Sequence, residues 1–341
     1  MFAKAGAGSA LLPDPCRGLD VVAPGPTPMA GLRCLVLGAG GFLGQPLTAL
    51  LQRRGASVCG YGRSTAVASS PSVAPCLAWT AAAFEDPTAL AAALVGQDVV
   101  FHLLSSSLPH ASNRDPAADV ASHVVPTLRL LDLCRAARVR RVVFASSGGA
   151  VYGIPAQVPT PEGAPTAPFS AYGINKLMIE QYLGLYWRLH GLEYQVLRIA
   201  NPYGPGQSPF RQQGVVAAML HRALSGSAVE MWGGGGVTRD FIHVDDVAAA
   251  FAAAAVYDGP HRVMNVGSGR GRSLDQVVAD VAAAAGRPGL EVVRKPGRPA
   301  DVPVSILDSG LMQRETGWRP RIGWTNGLAG TAAWVRSAYG L

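Results

Sequence analysis

A short apolar run, Arg33-Cys34-Leu35-Val36-Leu37, leads directly into Gly38-Ala39-Gly40-Gly41-Phe42-Leu43-Gly44 and then into a helical stretch over 41–54. A buried strand that turns on glycines into a helix is the start of a wound α/β unit, and few other folds begin this way. The alternation then continues. Val58–Tyr61, Asp98–Leu103, Arg141–Phe144 and Tyr194–Ile199 read as strands; Pro87–Leu94, Pro116–Ala137 and Tyr172–His190 read as helices. Such a pattern predicts an α/β fold, a doubly wound parallel sheet with helices on both faces. Pro46 falls near the first turn of the first helix, where proline is tolerated.

The rest of the chain divides around this pattern. Residues 1–30 are rich in Ala, Gly and Pro and show no apolar period. They read as a disordered leader, or as a start codon placed too early, with Met29 as the alternative start. A dinucleotide-binding domain is expected over 31–200. Residues 201–341 are expected to form mainly a smaller lobe, with about 241–268 returning to the first domain. Ser273 with Gln276 three residues on has the form of a capping box.

Hydrophobic residues make up 49% and charged residues 15% of 341, so the chain can bury a core and is not disordered in general. The net charge of +7 is dispersed, with no basic run of five or more. An excess of arginine suits an anionic small molecule, and without a basic stripe or a reading helix nucleic-acid binding is a poor fit. Cys16, Cys34, Cys59, Cys76 and Cys134 form no CxxC pair, which reads as reduced thiols in a cytoplasmic protein with no metal site. No stretch has the ~18 apolar residues of a membrane helix, and Pro13, Asp14 and Pro15 break any signal-peptide core.

The glycine loop lies where a helix N-terminus receives a pyrophosphate, and glycine lets the backbone approach it. The second strand of an NAD site usually ends in an acid that holds the ribose 2′-hydroxyl. Here Gly62 stands in that place and Arg63 follows. Arg63 reads either as a partner for a 2′-phosphate, which favours NADP, or as a solvated surface charge. Further on, Tyr172 and Lys176 stand four apart on one helix face. A tyrosine must come down by ~3 pKa units, about 4 kcal/mol, to act as a base near neutrality. A neighbouring ammonium and an oxidised nicotinamide supply positive charge for that.

The segments Ala145–Gly153, Ser170–Leu183, Leu197–Gln207, Arg239–Ala248, Asn265–Gly269 and Pro296–Pro303 together resemble the extended short-chain dehydrogenases/reductases, specifically the NAD-dependent epimerase/dehydratase family. The resemblance spans about 32–328. It implies a Rossmann-type sheet with a smaller C-terminal substrate-binding lobe, NAD as cofactor with NADP as the alternative, a nucleotide-sugar substrate and a cytoplasmic homodimer. Carried over by position, Ser147, Tyr172 and Lys176 form the catalytic group. Gly38, Gly41, Phe42, Leu43, Gly44, Arg63, Phe84 and Leu103, with Tyr172 and Lys176, surround the cofactor. Asn201, Val216, Arg239, Phe241, Arg298 and Asp301, with Ser147, meet the substrate. The arginines also have a case of their own, since planar forks suit phosphate oxygens.

Some positions depart from the pattern. The loop after Ser147 is one residue longer, which leaves Ser146 or Ser147 as the working hydroxyl. His123 stands where the family has Asn, and Ala83 replaces an acid near adenine. His102 is expected to be a satisfied core histidine. His243, Asp245 and Asp246 are expected to serve helix start and packing, and Trp232, Trp318 and Trp324 packing. The activity expected is sugar-nucleotide 4-epimerisation of the UDP-glucose/UDP-galactose type, in polysaccharide biosynthesis. The alternative is NADPH-dependent reduction of a 4-keto-deoxysugar nucleotide. A 4,6-dehydratase adds an acid pair after the hydroxyl, where this chain has Gly148 and Gly149. A nucleotide-sensing binder without turnover has no need of both Tyr172 and Lys176.

Overall fold

A computed structural model describes residues 29–64, 78–105, 112–211, 214–233, 235–296 and 302–341. Cys16, Cys76, Arg298, Asp301 and the leader, save Met29 and Ala30, lie outside them. Seven strands form one parallel sheet: β1 (Arg33–Leu37), β2 (Ser57–Gly62), β3 (Ala78–Ala81), β4 (Val99–His102), β5 (Arg141–Ser147), β6 (Glu193–Ile199) and β10 (Val263–Val266). Their order is β10-β6-β5-β4-β1-β2-β3. The order reverses at β1, so β1 and β4 flank the crevice where a doubly wound sheet binds its ligand.

Both faces of this sheet are covered, which is why its strands are continuous apolar runs rather than alternating ones. Cys34 and Val36 of β1 pack with Phe101, Val143, Leu197 and Phe251 on one face. Leu35 and Leu37 pack with Val100, Phe144, Leu130 and Ile179 on the other. Helix α1 (Gly44–Arg53) starts three residues later than the glycines suggest, because Gly41 and Phe42 still belong to the turn. Helix α2 is Pro87–Leu94.

The expected helix 116–137 is continuous but not regular. In α3, Pro116–Asp119 and Val125–Ala136 are joined by a π turn at Val120–Val124. Pro126 has no N–H for the carbonyl one turn back, and the ladder widens there. Gly148–Val151, read from sequence as a loop, makes a one-turn helix, α4, and α5 is Ala171–His190.

Beyond Ile199 the architecture is smaller in scale. Strands β7 (Asn201–Tyr203), β9 (Thr238–His243), β11 (Gly271–Ser273) and β13 (Val304–Ser305) form a second sheet. Strands β8 (Val229–Trp232) and β12 (Val292–Lys295) pair separately. Helices α6 (Val215–Leu224), α8 (Leu274–Ala285) and α10 (Trp324–Tyr339) close over a third core built on Val216, Leu220, Phe241, Val277 and Leu328. Helix α7 (Val244–Val256) instead packs in the first core, and β10 forms an edge of the large sheet. Helix α9 is Gly310–Thr316.

Several local expectations meet the structure directly. The capping box is complete: Gln276 N donates to Ser273 Oγ at 3.2 Å and Ser273 N to Gln276 Oε1 at 2.9 Å. His243 caps α7, its Nδ1 accepting from Asp245 N at 3.3 Å. Asp246 accepts from the backbone N–H groups of Arg321 and Ile322 at 2.9 and 3.0 Å. Trp318 is buried, whereas Trp232 is 43% exposed. Cys34 and Cys134 are buried free thiols and Cys59 is a half-buried one.

Candidate active site

The glycine loop is tightly folded. Gly38 has φ +87°, and a Cβ there would meet Leu104 Cδ2 at 3.3 Å. A Cβ on Gly44 would collide with the Gly38 carbonyl oxygen and with Ala39. Gly41 N donates to Gly38 O at 2.9 Å, and Leu103 N to Leu37 O at 3.1 Å, which brings the ends of β1 and β4 together. Leu43 begins α1 without a side-chain cap, and no acid stands in the first turn. An uncapped N-terminus behind a loop with no room for side chains is a setting for a phosphate group, so these residues fit a dinucleotide.

Lys176 and Tyr172 come from the first two turns of α5. Ser170 caps this helix by accepting from Gly173 N at 3.2 Å, and Ser112 Oγ accepts from Tyr172 N at 3.0 Å. The Tyr172 hydroxyl lies beside the Ser147 and Ser105 side chains, close enough for both to favour its phenolate. Lys176 Nζ donates to Ala145 O at 2.8 Å and lies 4.7 Å from the Phe144 ring centroid and 5.7 Å from that of Tyr172. Ser147, Tyr172 and Lys176 are therefore brought together at the C-terminal end of β5. Ser146 is turned away: its Oγ donates to Glu180 Oε1 at 2.5 Å. Of the two serines, Ser147 is the one beside Tyr172.

The electrostatics differ from the simple expectation for a base. Burial pushes the Tyr172 phenol above its ordinary value, while the bonds to Ser147 and Ser105 oppose the rise. Burial also lowers the Lys176 ammonium to about 8, against the pull of Glu180 and Asp119.

Beside this pair lies a small cavity, lined in part by Leu104, His102, His123, Tyr172, Asn175 and Lys176. His102 is a core histidine, but only half satisfied. Its Nε2 pairs with Thr127 Oγ1 at 2.9 Å, and its Nδ1 has no partner among the described residues. Burial lowers it to about 3, so it is neutral. His123 Nδ1 stands 3.1 Å from Asp119 Oδ1, and Asn175 Nδ2 donates to Asp119 Oδ2 at 2.7 Å.

The other expected cofactor contacts are spread along the same sheet edge. Phe84 packs 5.2 Å from His102, centroid to centroid, and Tyr61 donates to the Ala83 carbonyl at 2.7 Å. Arg63 is exposed just past β2. In the lobe, Asn201 Nδ2 donates to Asp240 O at 3.0 Å and Arg239 Nη1 to Thr238 O at 3.0 Å. Phe241 and Val216 are buried in the third core, with Phe241 5.4 Å from the Trp324 ring. Glu180 and its partner Arg198 were missed from sequence. The spacing that could have found Glu180 is simple, one turn beyond Lys176 on the same helix face. Among the described residues no cluster of His, Cys, Asp and Glu could hold a metal ion, and no helix is long and apolar enough to cross a membrane.

A doubly wound parallel sheet with serine, tyrosine and lysine gathered at its C-terminal edge defines a short-chain dehydrogenase/reductase. The chain belongs to the NAD dependent epimerase/dehydratase family, whose model matches residues 34–267. It is 36% identical over 312 residues to a UDP-glucose 4-epimerase of Mycolicibacterium smegmatis, covering 90% of this chain and 99% of the relative. A UDP-glucose 4-epimerase of Thermotoga maritima solved with UDP-glucose has a TM-score of 0.85 and 34% identity, covering 90% of this chain and 100% of that one. A Thermus thermophilus UDP-glucose 4-epimerase in complex with NAD has a TM-score of 0.83 and 32% identity, with the same coverage. A dTDP-4-dehydro-6-deoxyglucose reductase of Escherichia coli, 29% identical over 230 residues, covers 67% of this chain and 72% of its own length.

Proposed function

We propose that the chain is a sugar-nucleotide 4-epimerase of the UDP-glucose/UDP-galactose type that holds NAD on the glycine loop. The observation that carries this reading is the meeting of Ser147, Tyr172 and Lys176 beside that loop, with Gly148 and Gly149 where a dehydratase carries its acid pair. A Cβ on Gly148 would stand 2.5 Å from Leu307 Cδ1, so an acid after Ser147 would have to displace that leucine side chain. When bound, oxidised NAD supplies the hydride acceptor and a positive charge near the phenol. Tyr172 takes the proton of the sugar 4-hydroxyl and returns it after the keto sugar has turned. Ser147 orients that hydroxyl, and the Lys176 ammonium favours the phenolate.

Asn201, Val216, Arg239 and Phe241, with Arg298 and Asp301, make up the nucleotide side of the site. The exposed Ile174, Leu185 and Trp187 of α5 suit a homodimer built on this helix and α3, in the cytoplasm. A second reading, reduction of a 4-keto-deoxysugar nucleotide by NADPH, is favoured by Gly62 and Arg63.

Two measurements separate the readings. The purified protein is denatured and any released nucleotide identified. It is then incubated with UDP-galactose and no added cofactor. Released NAD with formation of UDP-glucose supports the epimerase. An empty protein that oxidises NADPH with a 4-keto sugar nucleotide supports the reductase and overturns the first reading.

A further inference from the structure

Two adjacent serines end β5, and only one of them faces Tyr172. The cause lies one turn further along α5. Glu180 is buried, four residues after Lys176 and eight after Tyr172, so all three share one face of the helix. Its Oε1 accepts from Ser146 Oγ at 2.5 Å. Its Oε2 receives Arg198 Nη2 at 2.6 Å, and Arg198 Nε donates to both carboxylate oxygens at 3.2 and 3.1 Å. Arg198 is the β6 residue directly opposite Ser146. Its Nη1 continues to the Tyr152 hydroxyl at 3.0 Å, which donates to Asn265 Oδ1 at 2.8 Å on β10. Three neighbouring strands and α5 are thus tied through a single carboxylate.

We infer that Glu180 is a positioning residue: paired with Arg198, it holds Ser146 out of the pocket and so assigns the reacting position to Ser147. The inference rests on the reading that Ser147, Tyr172 and Lys176 are the reacting group. A buried ion pair adds little net stability, because desolvation offsets the attraction, but it fixes geometry strictly. Ser146 needs an anchor here. The chain after it runs Ser147-Gly148-Gly149, and glycines resist a shift of register least. Lys176 holds the preceding carbonyl, that of Ala145. The last residues of β5 are therefore fastened to α5 at two successive points, one turn apart, and Ser147 follows as the first residue free to turn toward Tyr172.

A double-mutant cycle tests this. In the parent, Ser147→Ala should lower kcat about a hundredfold with KM within threefold, and Ser146→Ala should change kcat by less than threefold. In a Glu180→Gln background Ser146 becomes able to stand in, so Ser147→Ala should cost less than tenfold. A purely structural Glu180 lowers the melting temperature but leaves the two serine costs multiplicative; that outcome overturns the inference. Where Glu180→Gln does not fold, the same cycle is run on Glu180→Met with Arg198→Met, which removes both buried charges together. The Tyr172 phenol, followed by NMR on labelled tyrosine and assigned with Tyr172→Phe, gives a readout that needs no turnover. Ser147→Ala should raise its pKa in the parent, because the bond it loses favours the phenolate, and raise it less in the Glu180 variant. An equal rise in both backgrounds overturns the inference even if the parent turns over no nucleotide sugar. Absence of every such activity instead overturns the functional reading.

Discussion

The large sheet and the C-terminal lobe hold their functional side chains by different means. At the sheet, the side chains around the proposed reacting group are fastened by short buried bonds: Lys176 to Ala145 at 2.8 Å, Ser146 to Glu180 at 2.5 Å, Glu180 to Arg198 at 2.6 Å. In the lobe, aromatic faces do the positioning. The Trp324 ring lies tilted, 4.9 Å from Tyr203 and 5.4 Å from Phe241, and the Arg272 guanidinium lies 4.8 Å over it. Directional bonds suit a site where a proton moves over a fraction of an ångström. Ring contacts spread their energy over area and tolerate small shifts, which suits a surface that grips a ligand. Chemistry and grip should therefore be separable by mutation.

The largest expected effect lies in the sheet. Tyr172→Phe should lower kcat by ~10²–10⁴, the usual cost of losing a positioned acid–base group. Binding of UDP, measured by calorimetry, should stay within twofold, because the lobe is untouched. Activity within twofold of the parent would rule Tyr172 out as the base. A parallel loss of UDP affinity would instead show that sheet and lobe act as one unit.

The converse change is Trp324→Ala. It removes the ring shared by Tyr203, Phe241 and Arg272, and leaves Asp280 without the Trp324 Nε1 donor at 2.7 Å. Truncating a buried tryptophan costs ~3–5 kcal/mol, and this one is only half-buried, so about 2–3 kcal/mol is expected by denaturant titration. KM for the nucleotide sugar should rise, while the affinity for the nicotinamide cofactor should remain. If cofactor affinity falls with it, the division into a reacting sheet and a gripping lobe is wrong.

Legibility follows the same division. Strands such as β1 and β4 could be read from sequence because burial on both faces turns each into one continuous apolar word. β3 was missed: Ala78–Ala81 is half exposed at the sheet edge and has neither a run nor a clean alternation. In the lobe, β13 has two residues and pairs with β9, more than sixty positions earlier. No local pattern encodes a contact of that kind. Tyr172 and Lys176 were visible because four residues make one turn. The bond of Ser146 to Glu180 was not, since Glu180 is held in turn by Arg198 from a neighbouring strand. The π turn at Val120–Val124 could have been suspected from Pro126, a proline inside an apolar helix.

A pH titration sharpens the sheet side. Burial lowers the Lys176 ammonium from 10.5 to about 8. Between those values the unfolded chain binds the proton that the folded chain has released, so stability should rise as pH increases through this window. Turnover should move the other way, falling about tenfold per pH unit above about 8, because the neutral amine no longer favours the phenolate. Chemical unfolding and kcat measured over the same range should thus show opposite slopes, and Lys176→Met should abolish the rise in stability. Parallel slopes would mean that another group governs the alkaline limb.

The smallest effect concerns cofactor choice, at the end of β2. An acid there would hold a ribose 2′-hydroxyl and repel a 2′-phosphate. Packing at this position is tight. The Trp79 ring of β3 lies across β2, and a Cβ at Gly62 would stand 3.2 Å from Trp79 Cζ2. A side chain at Gly62 needs that ring to give by a few tenths of an ångström. With the acid gone, the next residue is Arg63, which is exposed. A guanidinium meeting a phosphate in water is worth about 1 kcal/mol once screening is counted, roughly fivefold in affinity. Backbone contacts to the pyrophosphate are common to both cofactors and dominate either affinity. Arg63→Ala should therefore weaken NADP(H) about fivefold at low salt, less at high salt, and leave NAD(H) within error. Dissociation constants for both cofactors on parent and variant decide it. If the NADP constant does not move, Arg63 is a surface charge and the reductase reading loses its main support; if it moves more than twentyfold, the arginine closes over the phosphate and cofactor choice is built into the sheet as firmly as the tyrosine.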